Sequence, residues 1–472
     1  MKPLPWRFRR GNLFSGDYKM VKKKYNLSSS EYIFVIILLI FFIITTIIIS
    51  LKLDQGIIPD EPTHFALVKQ FSTTLTIPDD TLETYKRGVY IKDNPFLFYW
   101  IEARILNLIN FAYPNLGVRN QLIALRISNV FFSILTVITI FSISCEVITR
   151  QWFRLLPIFI LVNTMMFVVL SAGVNYDNLT NLLAAISILL LLRILKDENK
   201  INNTLLLIFM VCLGMLTKKT FAPLALILAV VWIINYIKKR DTWKNITISG
   251  FNRVMLFLLL FVVLLTTELY LGNIIQYHGL TPDCEEILSA DQCAISPLVI
   301  RKETLGLPQK LTPNEAVQKG YPSIIRYIPS WIRLNALRIF GVLGHKNYFQ
   351  PKLVTLILSL FFLAYIQCLF LREKININII ILSVILIFYS ITLLITNYNF
   401  ELTFGFIHVA LQGRYLFPVL AGLLVVPSYF LSQSKFEIIS YGISIAMIVV
   451  IFLAGPIKFL IDYQTIFNEW FL

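Results

Sequence analysis

Charge is scarce in this sequence. Asp, Glu, Lys and Arg make up 15% of its 472 residues, where soluble chains carry about a quarter. Cysteine and histidine are rarer still, five and four. They are scattered, which excludes a small disulfide scaffold and shows no metal-ligand spacing. Glycine and proline, nineteen of each, are too few for collagen or low-complexity disorder. No Walker A, no GxGxxG after a strand and no GxSxG occurs, so a nucleotide-powered cytoplasmic engine is not encoded. No repeat of 20–50 residues is present. Long runs of Ile, Leu, Val and Phe take the place of charge: 57% of residues are hydrophobic and 14% aromatic. That composition reads as an all-α polytopic membrane protein.

The formal charge of +15 would suggest nucleic acid on a soluble chain. Here much of it lies in the tail, where Lys2, Arg7, Arg9, Arg10, Lys19, Lys22, Lys23 and Lys24 face one acid, Asp17. A basic segment before a first apolar run marks the cytoplasmic side and attracts anionic lipid. No aromatic-and-basic module follows it, so no nucleic-acid partner is expected. The first run, Tyr32 to Leu53, lacks a small-residue cleavage site and reads as an anchor.

A helix needs about 20 apolar residues to cross the hydrocarbon. On that basis eleven spans are expected, at 32–53, 121–145, 155–174, 179–195, 204–217, 221–237, 251–271, 352–371, 375–395, 415–431 and 436–456. With the N-terminus inside, the inner turns carry Arg150 and Arg154, Lys196 and Lys200, Lys238 to Lys244, Arg372 and Lys374, and Lys435. Each is basic, as the positive-inside rule requires, and the odd count leaves the C-terminus outside. The expected organisation is a basic tail at 1–31 and one transmembrane domain at 32–472.

Two external loops, 54–120 and 272–351, are too long to be turns, and long loops are usually functional. Phe65, Leu67, Val68, Phe71 and Leu75 lie at helical spacing; 96–111 and 324–343 show similar patterns. These suit helices in the membrane interface. Cys284 and Cys293 share the second loop, where an oxidising exterior permits a disulfide.

Candidate chemistry gathers at the outer turns. Pro59-Asp60-Glu61-Pro62-Thr63-His64-Phe65 sets two carboxylates just beyond the first span, with His64 one helical turn after Asp60. The plain reading is a capped helix, with Asp60 as N-cap. The functional one is a base or metal ligand at the membrane surface, since a carboxylate near apolar surface gains basicity. Asn175-Tyr176-Asp177-Asn178 is either an Asx-turn or a second carboxylate for a divalent cation or an acceptor sugar. Lys218 and Lys219 lie at another outer turn, and Arg126 lies early in the second span. Arg126 reads equally as snorkelling toward headgroups and as functional. Arg414, in Leu411-Gln412-Gly413-Arg414-Tyr415, suits a phosphate: Gly413 permits close approach and Arg grips with two parallel bonds. His278, His345 and His408 read as interface residues.

The order of these motifs resembles the GT-C superfamily of integral-membrane glycosyltransferases. Pro59-Asp60-Glu61-x-x-His64-Phe65, Asn175-x-Asp177 and Gln412-Gly413-Arg414-Tyr415 are similar to those of a bacterial multi-pass family taken to belong to it. The resemblance implies a GT-C-like fold, a polyprenyl-phosphate-linked sugar as donor, and a glycan, lipid or protein acceptor at the outer face of a bacterial plasma membrane. It places Asp60 as base or metal ligand with Glu61 beside it. His64, Asp177, Lys218, Lys219, Gln412, Arg414 and Tyr415 would bind substrate, with a divalent cation between Asp60 and Asp177 as an option. A lipid-linked-sugar flippase and a non-catalytic envelope-assembly protein remain the alternatives.

Overall fold

Every long apolar run becomes a helix. In a computed structural model, residues 28–196, 200–240, 250–343, 346–347, 351–408 and 411–466 are described. The basic residues Lys2 to Lys24, with Asp17, Lys244 and His345, lie outside them. Ten helical stretches are long and apolar enough to cross a membrane, and eleven when one bent pair counts as a span. They coincide with the eleven expected segments, and the protein is a multi-pass membrane protein. Among the described residues the only strands are two residues each, Val342–Leu343 and Lys346–Asn347.

The main helices are α1 (Ser29–Lys52), α2 (Glu61–Phe71), α3 (Leu97–Ala112), α4 (Val118–Val147), α5 (Gln151–Asn163), α6 (Met165–Ser171), α7 (Tyr176–Leu195) and α8 (Lys200–Thr217). They continue with α9 (Ala222–Lys238), α10 (Gly250–Tyr277), α11 (Ile324–Ala336), α12 (Pro351–Ile366), α13 (Ile377–Phe404), α14 (Leu420–Gln433) and α15 (Glu437–Leu453). Local chemistry sets their starts. Ser28 accepts from the Glu31 amide and Glu31 returns a bond to the Ser28 amide, so α1 opens on a capping box. Hydroxyls inside spans, such as Ser187 on Leu183 O, bond a carbonyl of the preceding turn and so satisfy their donors within an apolar core.

Burial separates the bundle's centre from its rim. The apolar window of α7 is 83% buried and that of Gly413–Gln433 89%, against 22% for Arg253–Tyr277. Thus α7 and α14 form the centre, while α10 presents Val254, Phe257 and Phe261 outward. The expected span at 155–174 is not straight. Thr164 adopts an extended conformation and α6 leaves α5 at 64°. All seven residues of α6 are buried, so the chain turns inward and delivers the 172–175 turn to the centre.

The two ends of the bundle differ. At one, Glu437 receives Arg150 (2.8 Å) and Arg372 (2.6 Å), and Glu146 receives Lys196 (2.8 Å). The basic short turns are thereby tied together. The long loops cover the other end, and the second is fastened to the first. Tyr277 Oη donates to Asp93 (2.8 Å), Asn273 to the Asp93 carbonyl (2.8 Å) and Tyr90 to Ser296 (3.3 Å). Cys284 and Cys293 are joined. The amphipathic stretches are helical but only partly interfacial in character. In α2, Phe65, Leu67, Val68 and Phe71 are buried against protein, while Leu75 lies beyond the end of the helix and is exposed. On α11, Ile325 and Ile332 remain open while Tyr327 and Trp331 face inward.

Helix α8 meets the turn leading into α9 closely at Gly214, where a Cβ would fall 2.5 Å from the Phe221 ring. Gly214→Ala should therefore destabilise the detergent-solubilised protein by about 1–3 kcal/mol. Adding Phe221→Leu should recover part of the thermal midpoint.

Candidate active site

The loop-bearing end gathers four charged side chains from four segments: Asp60 before α2, Asp177 at the start of α7, Lys218 between α8 and α9, and Arg414 before α14. Asp60 occupies the N-cap position, yet its φ is +61° and its side chain makes no cap bond. The capping explanation therefore fails. The carboxylate is 47% exposed and pairs with the guanidinium of Arg414, itself 2% exposed. Arg414 Nε also lies 3.7 Å from Asp177 Oδ2, and Asp177 Oδ1 pairs with Lys218. Two acids and two bases thus alternate from the surface into the protein, with no net formal charge.

Each segment has a local reason for its position. Asn175 caps α7 by accepting from the Asp177 amide (2.9 Å), and an anion in a first turn is favoured by the helix dipole. Lys218 is extended at the break between two helices, and its amide bonds Gly214 O (3.0 Å). Its ammonium lies 4.3 Å from the Tyr176 ring centre and 4.9 Å from that of Tyr415, an aromatic environment that favours the cation. Arg414 is carried by a 3-10 turn, Gly413–Val419. A Cβ on Gly413 would stand 2.6 Å from Asn335 O and 2.9 Å from Ile339 N, so only glycine lets the end of α11 seat on this turn.

His64 lines the same site. Its Nδ1 is 2.9 Å from Tyr99 Oη, its ring meets Tyr176 edge-on at 4.5 Å, and its Nε2 is buried without a hydrogen-bond partner. Burial pushes its pKa down to about 4, against the opposing pull of the nearby Asp60 carboxylate, so the ring is neutral near pH 7. Tyr415 belongs to the site through its ring. Gln412 enters the turn through its carbonyl, which accepts from the Tyr415 amide (3.1 Å). Lys219 points elsewhere, donating to Thr281 in the second loop (2.9 Å).

Glu61 does not share the exposure of its neighbour. Its carboxylate is fully buried and takes two parallel bonds from Arg126, Nε at 2.8 Å and Nη2 at 2.6 Å. Arg126 Nη1 reaches Ser50 O and Leu53 O, both 2.8 Å, and the Val174 amide donates to Glu61 (3.0 Å). This geometry corrects two expectations. Glu61 is turned away from the site Asp60 faces, and Arg126 is 2% exposed and cannot snorkel. The signal for the pairing was present, because an arginine within an apolar span needs a partner. Tyr99 and Tyr176 also belong to the site and were not singled out.

The carboxylates expected to share a divalent cation each face a cationic side chain. Among the described residues, no group of three or more His, Cys, Asp or Glu is placed to hold a metal. A metal bridging Asp60 and Asp177 would have to displace Arg414 and Lys218.

Comparison with known proteins gives a partial family match. Residues 93–266 match the family described as Dolichyl-phosphate-mannose-protein mannosyltransferase. The GT-C resemblance read from the motifs is borne out by this match, which covers Asp177 and Lys218 but neither the Asp60 nor the Arg414 segment. No curated protein matches the chain. Similar solved structures include the archaeal oligosaccharyltransferase AglB from Archaeoglobus fulgidus, in complex with an inhibitory peptide and a dolichol-phosphate, at TM-score 0.44 and 10% identity over 91% of this chain. Another of that organism's oligosaccharyltransferase, with Zn and sulfate, gives 0.43 and 10% over 90% of this chain and 52% of that one. ArnT from Cupriavidus metallidurans in the apo state gives 0.33 and 10%, over 86% of this chain and 78% of its own. The chain spans 56% of the AglB chain in the first of these.

Two outcomes follow. Glu61→Gln leaves a buried guanidinium without its counter-charge and should cost about 3–5 kcal/mol. Arg126→Met alone should be worse tolerated than Arg126→Met with Glu61→Leu, read as thermal midpoints. His64 supplies a pH dependence. A histidine held neutral contributes stability above its unfolded pKa of about 6.5, which is lost as pH falls toward the folded value. Stability should fall by on the order of 3 kcal/mol between pH 6.5 and 4 from this group. His64→Gln should remove that part of the decline, and an unchanged profile would show that His64 does not cause it.

Proposed function

We propose that this protein is a GT-C-type glycosyltransferase. It moves a sugar from a polyprenyl-phosphate donor to a hydroxyl of a glycan, lipid or protein acceptor, at the outer face of a bacterial plasma membrane. The observation that carries the reading is the half-exposed Asp60 held against a buried arginine. A base open to an acceptor and a cation suited to a phosphate stand side by side. The family match over 93–266 supports the reading. The proposed unit is one transmembrane domain over 32–472, with the N-terminus inside.

In this mechanism the donor phosphate engages Arg414 and Lys218, and its polyprenyl tail stays in lipid. Asp60, relieved of Arg414, accepts the proton of the acceptor hydroxyl. The acceptor oxygen attacks the anomeric carbon from the face opposite the phosphate, so configuration inverts. The bond from that carbon to the phosphate oxygen breaks, and polyprenyl phosphate leaves with the bonding electrons. Arg414 and Lys218 face the charge that grows on the leaving oxygen, where preorganised cations lower the barrier most. Asp177 holds both cations in place, and neutral His64 with Tyr99 and Tyr176 walls the site.

The test is cleavage of radiolabelled polyprenyl-phosphate sugars by purified protein with an acceptor present, resolved by thin-layer separation. Asp60→Asn should lower turnover by about two orders of magnitude or more with folding intact. Arg414→Lys should also weaken it, because a point charge does not reproduce the planar fork, while exposed Lys319→Ala should not. Lipid-linked sugars that cross proteoliposome membranes uncleaved would replace this reading with a flippase. A protein that neither cleaves nor moves them would be an assembly factor.

A further inference from the structure

One fully buried amide side chain bonds the backbone immediately before one carboxylate residue and the amide of the other. Asn175 Nδ2 donates to the carbonyl of Pro59, the residue before Asp60 (3.0 Å), and Asn175 Oδ1 accepts from the amide of Asp177 (2.9 Å). Its own amide donates to Asn129 Oδ1 (3.3 Å). We propose that Asn175 is a positioning residue that sets Asp60 relative to Asp177, and hence the base relative to the cations that receive the donor phosphate.

Asp60 depends on such support. It sits at positive φ, which side chains other than glycine seldom adopt, and no cap bond of its own fixes it. Its placement comes from its neighbours. Glu61 is held by Arg126 on α4, and the Pro59 carbonyl by Asn175, whose turn leads into the helix carrying Asp177. The two turns are in direct contact, for a Cβ on Gly173 would stand 2.5 Å from Ile58 and 3.2 Å from Glu61. Asn175 is anchored in turn. Asn129 donates to Glu102 (3.2 Å) and to Leu125 O (2.9 Å), and its Oδ1 also accepts from Asn178 (3.0 Å). Ser128 donates to the same Glu102 carboxylate (2.7 Å). Asn129, Glu102 and Asn178 are buried.

The two bonds of Asn175 are separable by substitution. Serine and aspartate both cap helices. Serine is too short to reach Pro59 O, and aspartate has no N–H to donate. Either variant keeps the tie to Asp177 and loses the tie to Asp60. A small misplacement of a reacting group can cost on the order of 100-fold. Asn175→Ser should therefore lower kcat about 10- to 100-fold, with the donor KM changed less than about threefold, as expected when a transition-state contact is lost. In an Asp60→Asn background the same change should add little, because residues that act through one another are not additive. A wild-type kcat in both Asn175→Ser and Asn175→Asp, or losses that multiply with Asp60→Asn, would overturn the proposal. Its catalytic arm rests on the transferase reading, so a second readout stands apart from chemistry. Hydrogen exchange in purified Asn175→Ser should quicken at the amides of 57–64 and stay slow at 178–184. If wild-type protein cleaves no donor, the transferase reading fails and exchange alone decides: equal exchange at 57–64 in both proteins would reject the positioning role.

Discussion

The buried pair of Glu61 and Arg126 is the constraint from which the site is built. It joins the end of α1, the start of α2, the first turns of α4 and the turn before α7. Burying two charges is costly, and only full satisfaction of the guanidinium makes it tolerable. Here Arg126 donates to two carboxylate oxygens and two carbonyls. The pair specifies where the first loop leaves the membrane domain. Asp60 projects toward Arg414 because Glu61, its neighbour, is held on the other side.

The charged cluster follows a similar rule with a different outcome. Asp60, Arg414, Asp177 and Lys218 compensate one another, so they can stand in a poorly solvated site without net charge. The cluster opens toward the surface, where Asp60 is half-exposed. The member that solvent reaches lies outermost, and Arg414, Asp177 and Lys218 are buried within. The pairs at the opposite end of the bundle differ: in Arg150 with Glu437, both partners are partly exposed and both ends are short turns.

Much of this was legible in the sequence. The spans followed from run length, because an apolar core admits only helices with satisfied backbones. Asp60, Asp177, Lys218 and Arg414 stood out as ionisable residues at span ends, and the structure gathers all four. The sequence did not show which charges would pair. Glu61 is adjacent to Asp60 and chemically alike, yet one faces the site and the other Arg126; that choice depends on the left-handed backbone at Asp60. Lys218 and Lys219 are likewise adjacent and diverge, since one lies at the inner side of the helix break and the other reaches Thr281. The bend at Thr164 was hidden because both halves of that span are apolar. Aromatic wall residues such as Tyr99 and Tyr176 carry no charge to mark them in a chain this rich in tyrosine.

Sequence separation orders the assembly of these contacts in time. Chains are synthesised at about 5–20 residues per second. Arg126 lies 65 positions after Glu61, so the clamp has both partners within roughly 3–13 s. Arg414 lies 354 positions after Asp60, an interval of roughly 20–70 s. The nascent protein therefore builds the frame around Asp60 first and holds that carboxylate without its arginine while the intervening spans are made. The site closes only when the tenth span arrives, long after the frame around Asp60 is in place.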